Sequence, residues 1–377
     1  MTPVSDSFSY GRPEEPDPEL TADEAIVESA FGAENRATLL ERYFTTLASA
    51  LSPVSAWEHV YRLLLWTDKG TGLAHCYESD KSQPGKNWYA RSLAFHAWVA
   101  SALGVAPAEL DREIDWLFTQ AAQQLAAETR TRAEVRAAAA ARQRAPYEGR
   151  GLPSRGRDPL LEHIIYDALR EYMLVSPPQH VSESLEQGIR EHVALENKRR
   201  NLLGEGFEDV VATILRRLPG TAGITTQTRA LLHELPGFNR TRRGEKANKV
   251  DIALLGTPSG RRTLVTSKWS IRADREKQFA ADFQDYLNAE ADREPFDYVL
   301  VTNEFDPARL KRACEHIHGN ALMFSSVVHI STDAVRATYA GAGGRRRRGD
   351  SMDVVMNHIN DGRLLDLGAW VSTLGLR

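Results

Sequence analysis

The stretch that decides the fold is Lys249-Val-Asp-Ile-Ala-Leu-Leu255, the turn 256–260, and Thr263-Leu-Val-Thr-Ser-Lys-Trp-Ser-Ile271. Two runs rich in β-branched and aliphatic residues, separated by Gly-Thr-Pro-Ser-Gly, predict a β-hairpin. Asp251 lies about as far before the turn as Lys268 lies after it, which places Asp251 opposite Thr266 or Lys268. Positions 266 and 268 share one strand face, so either register brings a carboxylate and an ammonium group together.

A carboxylate and an ammonium group at one patch of a sheet suit phosphodiester hydrolysis. Mg²⁺ is held by carboxylates, phosphate oxygens and water. It neutralises developing charge and makes hydroxide available near neutral pH. A nearby lysine can orient or deprotonate the attacking water and contact the phosphate. The simpler alternative is an exposed cross-strand ion pair, which contributes less than about 1 kcal/mol.

Asp251 and the strand end Thr266-Ser267-Lys268 resemble the Asp…(Asp/Glu/Ser)-x-Lys signature of the PD-(D/E)XK nucleases. The resemblance implies that Asp251 binds Mg²⁺, that Lys268 positions the attacking water and that Thr266 lines the site. Val250 stands where the superfamily has its proline, and Thr266 stands where many relatives carry Glu, Asp or Ser. These two departures are the sequence features that favour a decayed nuclease site.

The superfamily also commonly carries a glutamate on its first core helix. The run Gly204-Glu-Gly-Phe-Glu-Asp-Val-Val211 opens a helical stretch and supplies Glu208 for this role, with Glu205 as second choice. The resemblance implies that Glu208 assists in binding the metal ion.

The run Lys268-Trp-Ser-Ile-Arg-Ala-Asp-Arg275 resembles a CCGG-recognising branch of type II restriction endonucleases. In that branch an Arg-x-(Asp/Glu)-Arg element follows the catalytic lysine, and Arg272, Asp274 and Arg275 match it. Arginine donates two hydrogen bonds to guanine O6 and N7, and aspartate accepts from cytosine N4, so the element suits adjacent G·C pairs. Asp274 is expected to cap a helix that starts at Arg275.

The same branch has an acidic residue on the following helix that completes the metal site. Asp282 occupies this position, with 13 residues between it and Lys268. The family usually has glutamate there, so Glu276 and Glu290 remain alternatives.

The sequence predicts a disordered tail (1–20), a helical N-terminal domain (21–145), a linker (146–157) and a nuclease domain (158–377). In the nuclease domain, two helical stretches precede strands that alternate with helices. This order predicts an α/β core with a central mixed sheet flanked by helices. The predicted helices are Leu160–Val175, Ser182–Leu218, Glu276–Glu290 and Pro307–Ile317, and the predicted strands are Thr225–Leu235, Lys249–Leu255, Thr263–Ile271, Tyr298–Thr302 and Val327–Ser331.

Composition limits the partners and the compartment. The net charge of −4 argues only weakly against a nucleic-acid partner, because basic residues cluster at 198–200, 240–249 and 345–348. A cleft lined with one sign of charge can bind DNA on an acidic protein. No stretch approaches the roughly 18 apolar residues of a membrane span, and the N-terminus lacks the features of a signal peptide. Two cysteines do not form a disulfide framework, so the expected compartment is the cytoplasm, with no membrane partner.

Together these features predict a type II restriction endonuclease that makes Mg²⁺-dependent double-strand cuts in DNA at a palindromic CCGG-containing site. The resemblance implies 5′-phosphate ends, a homodimer or higher homo-oligomer, and a companion DNA methyltransferase acting on the same site. Two alternatives remain open. One is a repair, recombination or methylation-dependent nuclease, and the other is a sequence-specific DNA-binding module whose nuclease site has decayed. The N-terminal domain could dimerise the enzyme, clamp DNA or read flanking bases.

Overall fold

The structure is a computed structural model that describes residues 22–47, 50–68, 70–76, 82–86, 88–144, 163, 165–167, 169, 178–239, 248–292, 294–340 and 350–375. Some helical side chains are not described, among them those of residues 273–276. The predicted tail (1–20) and linker (146–157) lie outside the described residues, as does most of the predicted helix Leu160–Val175.

Helices form the N-terminal part of the described chain, as the apolar periodicity predicts. They bury one apolar stripe each, as Val60, Tyr61 and Leu64 illustrate with at most 2% exposure. The elements are α1 (Ala22–Phe31), α2 (Ala33–Arg42) with a π-helical turn at Tyr43–Leu47, α3 (Ala56–Leu64), α4 (Tyr89–Ala102), a 3-10 turn at Pro107–Arg112, and α5 (Trp116–Arg144).

A long helix, α6 (Gln179–Arg217), leads from these helices to the sheet. Pro219 follows its end, where a proline disfavours continuation of the helix. The C-terminal half of α6 buries Phe207, Val210, Val211 and Ile214 completely. This apolar face packs against the first strands of the sheet and fixes which side of the helix faces them.

The centre of the fold is a six-stranded mixed sheet flanked by helices, as predicted, with strand order β1-β2-β3-β4-β7-β8. The first two pairs are antiparallel and the last three are parallel. The elements in chain order are β1 (Thr225–Leu231), β2 (Lys249–Leu255), β3 (Thr263–Lys268), α7 (Ala273–Ala289), β4 (Asp297–Thr302), α8 (Pro307–Glu315), β5 (Ile317–His318), β6 (Ala321–Leu322), β7 (Ser326–His329), α9 (Thr332–Ala340), α10 (Ser351–Asn360), β8 (Leu364–Asp366) and α11 (Leu367–Leu374). The short strands β5 and β6 form a separate hairpin.

The predicted hairpin β2–β3 is present, but its two strands separate at one end. β2 stays paired with β1, and β3 with β4, to the ends of the strands. The pairing of β2 with β3 ends at Ile252 and Val265. The sheet therefore opens between β2 and β3 at the end that carries Asp251 and Lys268.

The N-terminal helices and the sheet share one continuous buried core that extends from Ala30 to Val371. The hydroxyl of Tyr61 on α3 donates to Asn303 Oδ1 at 2.9 Å, and the Phe95 ring on α4 meets Phe305 edge-on. The predicted boundary between a helical and a nuclease domain remains a prediction, because the linker itself is not described.

Several element ends differ from the sequence prediction. β1 ends at Leu231, where a 3-10 turn replaces the predicted continuation to Leu235. β3 ends at Lys268, three residues before the predicted end at Ile271. Helix α7 begins at Ala273, so Asp274 is its second residue and Arg272 is the N-cap. The prediction that Asp274 caps a helix starting at Arg275 is therefore wrong.

Candidate active site

The carboxylate of Asp251 lies in the opening between β2 and β3. Its Oδ2 atom accepts from the Lys268 ammonium nitrogen at 2.6 Å, the Ser267 backbone N–H at 2.8 Å and the Thr266 hydroxyl at 3.2 Å. Continuing the strand register by one residue places Asp251 opposite Thr266, the first of the two predicted registers. The side chain thus provides a hydrogen-bond acceptor where the backbone pairing has ended.

Glu208 approaches the same lysine from helix α6. Its Oε1 atom lies 3.9 Å from the Lys268 ammonium nitrogen. Burial raises the pKa of Glu208 to about 7, with the negative charge of Asp251 as the second cause, while Lys268 and Arg229 act in the opposite direction. Lys268 is therefore the cation shared by two carboxylates from different elements, and the structure brings the predicted site residues Asp251, Glu208 and Lys268 together.

Arg229 on β1 contacts Glu208 from the other side. Its guanidinium group donates to Glu208 Oε2 at 3.2 Å and to Asp209 Oδ1 at 2.5 Å. The strand register puts Arg229 opposite Asp251, and its φ of 51° is left-handed, which costs a non-glycine residue about 1–2 kcal/mol. Sequence reasoning missed Arg229, because an arginine in a strand-like run carries no sign of a partner on a distant helix.

Asp282 lies on α7, one helical turn before Tyr286. The pKa of Tyr286 and that of Tyr298 are raised well above the ordinary value, mainly by burial and further by the charges of Asp282 and Asp251. The charges of Asp282 and Asp251 therefore both contribute to the raised pKa of the same two buried tyrosines. Within the described residues, however, no group of three or more His, Cys, Asp and Glu side chains is arranged to hold a metal ion. The assignment of Asp282 as a metal ligand remains a prediction.

The alternative carboxylates have different surroundings. Glu290, at the end of α7, accepts from the Arg262 guanidinium group at 2.9 Å. Glu205 has a side chain that is 62% exposed and pairs with Arg36 at 2.7 Å. The structure thus brings Glu208, and not Glu205, to Lys268. The side chain of Glu276 lies outside the described residues.

The predicted DNA-reading element begins at the exposed Arg272, directly before α7. The side chains of Asp274 and Arg275 lie outside the described residues, although their backbone belongs to the first turn of α7. Their role in reading bases therefore remains a prediction. The short loop from Lys268 to Arg272 connects the candidate catalytic lysine directly to this element.

A buried carboxylate, Glu304, anchors that loop. Only 3% exposed, it accepts from the backbone N–H groups of Ile271 and Asp306, both at 2.7 Å, and from Arg309 at 3.3 Å. Burial nevertheless raises the pKa of Glu304. Its backbone carbonyl accepts from His329 Nε2 at 3.0 Å. Sequence reasoning missed Glu304, although a carboxylate just after a buried parallel strand is a position that could have been singled out.

Comparisons with known proteins find only weak similarity to solved structures. No protein-family model matches it, and no curated protein matches it at a significant level. Among solved structures, the complex of restriction endonuclease PspGI with substrate DNA is 12% identical with a TM-score of 0.32, covering 93% of this chain and 91% of that chain. Metal-depleted Ecl18kI in complex with uncleaved, modified DNA is also 12% identical, with a TM-score of 0.26, covering 90% of this chain and 97% of that chain. Similarity this low carries no argument about function, which has to be inferred from the site itself.

None of the helices in the described part of the chain is long and apolar enough to cross a membrane.

Proposed function

We propose that the chain is a Mg²⁺-dependent DNA endonuclease of the PD-(D/E)XK kind. One observation carries the proposal. At the opening of the β2–β3 hairpin, the Lys268 ammonium group lies 2.6 Å from Asp251 and 3.9 Å from Glu208. Two largely buried carboxylates that share one lysine, at the edge where a sheet opens, form a site that can hold a cation, a phosphate group and water.

The donor set fits a hard divalent cation. Both carboxylates supply oxygen atoms, the ligands that Mg²⁺ prefers. Burial, and after it the charge of Asp251, raises the pKa of Glu208, so a bound cation would stabilise the charged form of this carboxylate. Asp251 and Glu208 would hold the ion, with Asp282 as a further ligand. The ion would supply neutralisation of the phosphate charge and an activated water near neutral pH.

The chain's own residues would bind and orient the reacting groups. Lys268 would donate hydrogen bonds to the attacking water or to a phosphate oxygen, and its contact with Asp251 holds the ammonium group in place. Thr266, which donates to Asp251, would line the site. Water attacks the phosphorus and the bond to the 3′ oxygen breaks. The products are a 5′-phosphate and a 3′-hydroxyl.

The finer proposal is a type II restriction endonuclease that cuts double-stranded DNA at a palindromic CCGG-containing site in the cytoplasm. Arg272, Asp274 and Arg275 would read the inner G·C pairs in the major groove. A homodimer or higher homo-oligomer would present this element twice, which matches a palindrome. A companion methyltransferase acting on the same site would protect the host DNA. The alternative biology is a repair, recombination or methylation-dependent nuclease with the same site.

One observation favours a second candidate, a sequence-specific DNA-binding protein without cleavage activity. Asp251 Oδ2 already accepts three hydrogen bonds from the protein itself, and Thr266 supplies a hydroxyl where an acid would strengthen a metal site. Such a protein would bind one DNA sequence and leave it uncut.

The test is a digest of unmethylated plasmid DNA by the purified protein with Mg²⁺, followed by sequencing of the ends. An EDTA reaction and the Lys268→Ala variant are the controls. We expect discrete fragments whose ends share a CCGG core, and no cleavage in either control. Random nicking, or cleavage only of methylated or branched DNA, would support the alternative nuclease. Intact DNA together with a sequence-specific gel shift would contradict the proposal and support the binding protein.

A further inference from the structure

A chain of ion pairs joins the N-terminal helices to the candidate active site. It starts at Arg36 on α2, a buried arginine that is 4% exposed. Its guanidinium group donates to Asp209 and to Glu205, each at 2.7 Å, and to the backbone carbonyl of Phe31 at 2.6 Å. Arg36 precedes Asp209 by 173 residues, so this contact connects distant parts of the chain.

Asp209 connects Arg36 to the residues that surround Glu208. Its two oxygen atoms are divided between two arginines, because Oδ2 accepts from Arg36 and Oδ1 accepts from Arg229. Arg229 also donates to Glu208 Oε2 at 3.2 Å, and Glu208 Oε1 faces Lys268. The carboxylate of Glu208 is therefore held from both sides, by Arg229 on one oxygen and by Lys268 on the other.

The backbone of Arg229 indicates that this arrangement is maintained against a local cost. Its left-handed φ of 51° lies within a strand and opposite Asp251. Unfavourable backbone conformations persist only where the surrounding contacts enforce them, and they concentrate at functional sites. Here the surrounding contacts are the ion pairs of Arg229 with Glu208 and Asp209, and Asp209 also pairs with Arg36.

We propose that Arg36 and Arg229 are positioning residues for DNA cleavage, which hold the Glu208 carboxylate against Lys268 through Asp209. This inference rests on the proposed function, because it assigns a role in cleavage to the surroundings of Glu208. It also assigns a role to the N-terminal helices: α2 supplies the buried cation at the start of the chain of ion pairs. Loss of residues that orient a metal-binding carboxylate lowers activity by about 10- to 100-fold in other enzymes.

A matched control separates positioning from general packing of the same helices. Arg217 on α6 pairs with Glu41 on α2, so this ion pair joins the same two helices as Arg36 and Asp209. It has no contact that leads to Glu208 among the described residues. Arg217→Met therefore removes a link between α2 and α6 and leaves the surroundings of Glu208 intact.

The experiment measures single-turnover cleavage of a duplex that carries the cognate site, for Arg36→Met, Arg229→Met and Arg217→Met. Each substitution is made in the wild-type protein and in Glu208→Gln. The DNA dissociation constant in EDTA is measured alongside, since a positioning residue should not change it. Because loss of the buried Arg36 could unfold the protein, Arg36→Lys and the isosteric Asp209→Asn are included as further variants of the same chain of contacts.

We expect Arg36→Met and Arg229→Met to lower the cleavage rate by about 10- to 100-fold with unchanged DNA affinity, and Arg217→Met to have no effect. In the Glu208→Gln protein the same substitutions should change the rate by less than about threefold, because residues that act through a shared partner are not additive. Equal losses in both backgrounds, or an equal loss in Arg217→Met, would overturn the inference while the proposed function stands. Wild-type protein that does not cleave DNA with Mg²⁺ would overturn both.

Discussion

The buried His329 gives this fold a defined sensitivity to acid. The side chain is fully buried at the end of β7, and its ring meets Phe305 edge-on with 4.9 Å between centroids. Nε2 donates to the Glu304 carbonyl at 3.0 Å, and Nδ1 accepts from the Ser331 N–H at 3.0 Å. Both ring nitrogens are therefore satisfied in the neutral form, and a proton on Nδ1 would point at another donor.

The size of the effect follows from the pKa. Burial lowers the pKa of His329 from 6.5 to about 4 in the folded protein. Between pH 6.5 and pH 4, the His329 ring is protonated in the unfolded chain and neutral in the folded chain. The free energy of unfolding therefore falls as the pH falls from 6.5 to 4, by about 3 kcal/mol from this residue. Above pH 6.5 the ring is neutral in both states, so the contribution of His329 to the free energy of unfolding no longer changes with pH.

Urea unfolding in EDTA buffer at pH 7, 6, 5 and 4 tests this, with wild-type protein compared with His329→Gln. Glutamine lacks a titrating group, while its amide can still donate to the Glu304 carbonyl. Other titrating groups are common to both proteins, so the difference isolates His329. We expect the wild type to lose about 3 kcal/mol more than the variant between pH 7 and 4. His358→Gln, at a partly exposed histidine that pairs with Glu315, is the control and should follow the wild type. A difference between wild type and His329→Gln that stays constant within about 0.5 kcal/mol would refute the reasoning.

Substitutions at three positions test the candidate site. Asp251→Asn removes the carboxylate that binds Lys268, so the single-turnover cleavage rate should fall by about 100-fold or more, while gel shifts in EDTA show no weaker DNA binding. A cleavage rate within a few-fold of wild type would exclude Asp251 from the site. Arg229→Gly and Arg229→Ala lose the same ion pairs, but glycine adopts the left-handed backbone conformation at this position more easily than alanine. Thermal unfolding should therefore find the glycine variant more stable by about 1 kcal/mol. Equal stability of the two variants would argue against backbone strain at Arg229. Arg272→Ala should weaken cognate DNA binding by about 1–3 kcal/mol and non-cognate binding less; an equal loss on both would indicate a phosphate contact.

Local regularities of the sequence were enough to predict the central hairpin. A strand places every second residue on the same face, so Asp251, Thr266 and Lys268 had to meet once the turn between the strands was recognised. The predicted bounds of β2, Lys249–Leu255, agree with the structure. The helix that carries Glu208 was also evident from its apolar periodicity.

Element ends and helix caps were less predictable, because they depend on neighbours. β3 ends three residues before the predicted Ile271, and α7 begins two residues earlier than its capping pattern indicated. Residues 240–247, within the predicted basic cluster 240–249, lie outside the described residues together with 345–348.

The sequence by itself therefore determined the α/β class and the hairpin that carries Asp251 and Lys268, since these follow from periodicity and short spacing, whereas Glu208 was predicted only from the resemblance. Only the tertiary structure decided that Arg36, Asp209 and Arg229 form one chain of ion pairs with Glu208, and that Glu304 anchors the loop after Lys268. The physical reason is distance along the chain. A buried ion pair between a helix near the N-terminus and a strand in the sheet depends on how the elements pack, and no local pattern of residue types encodes that packing.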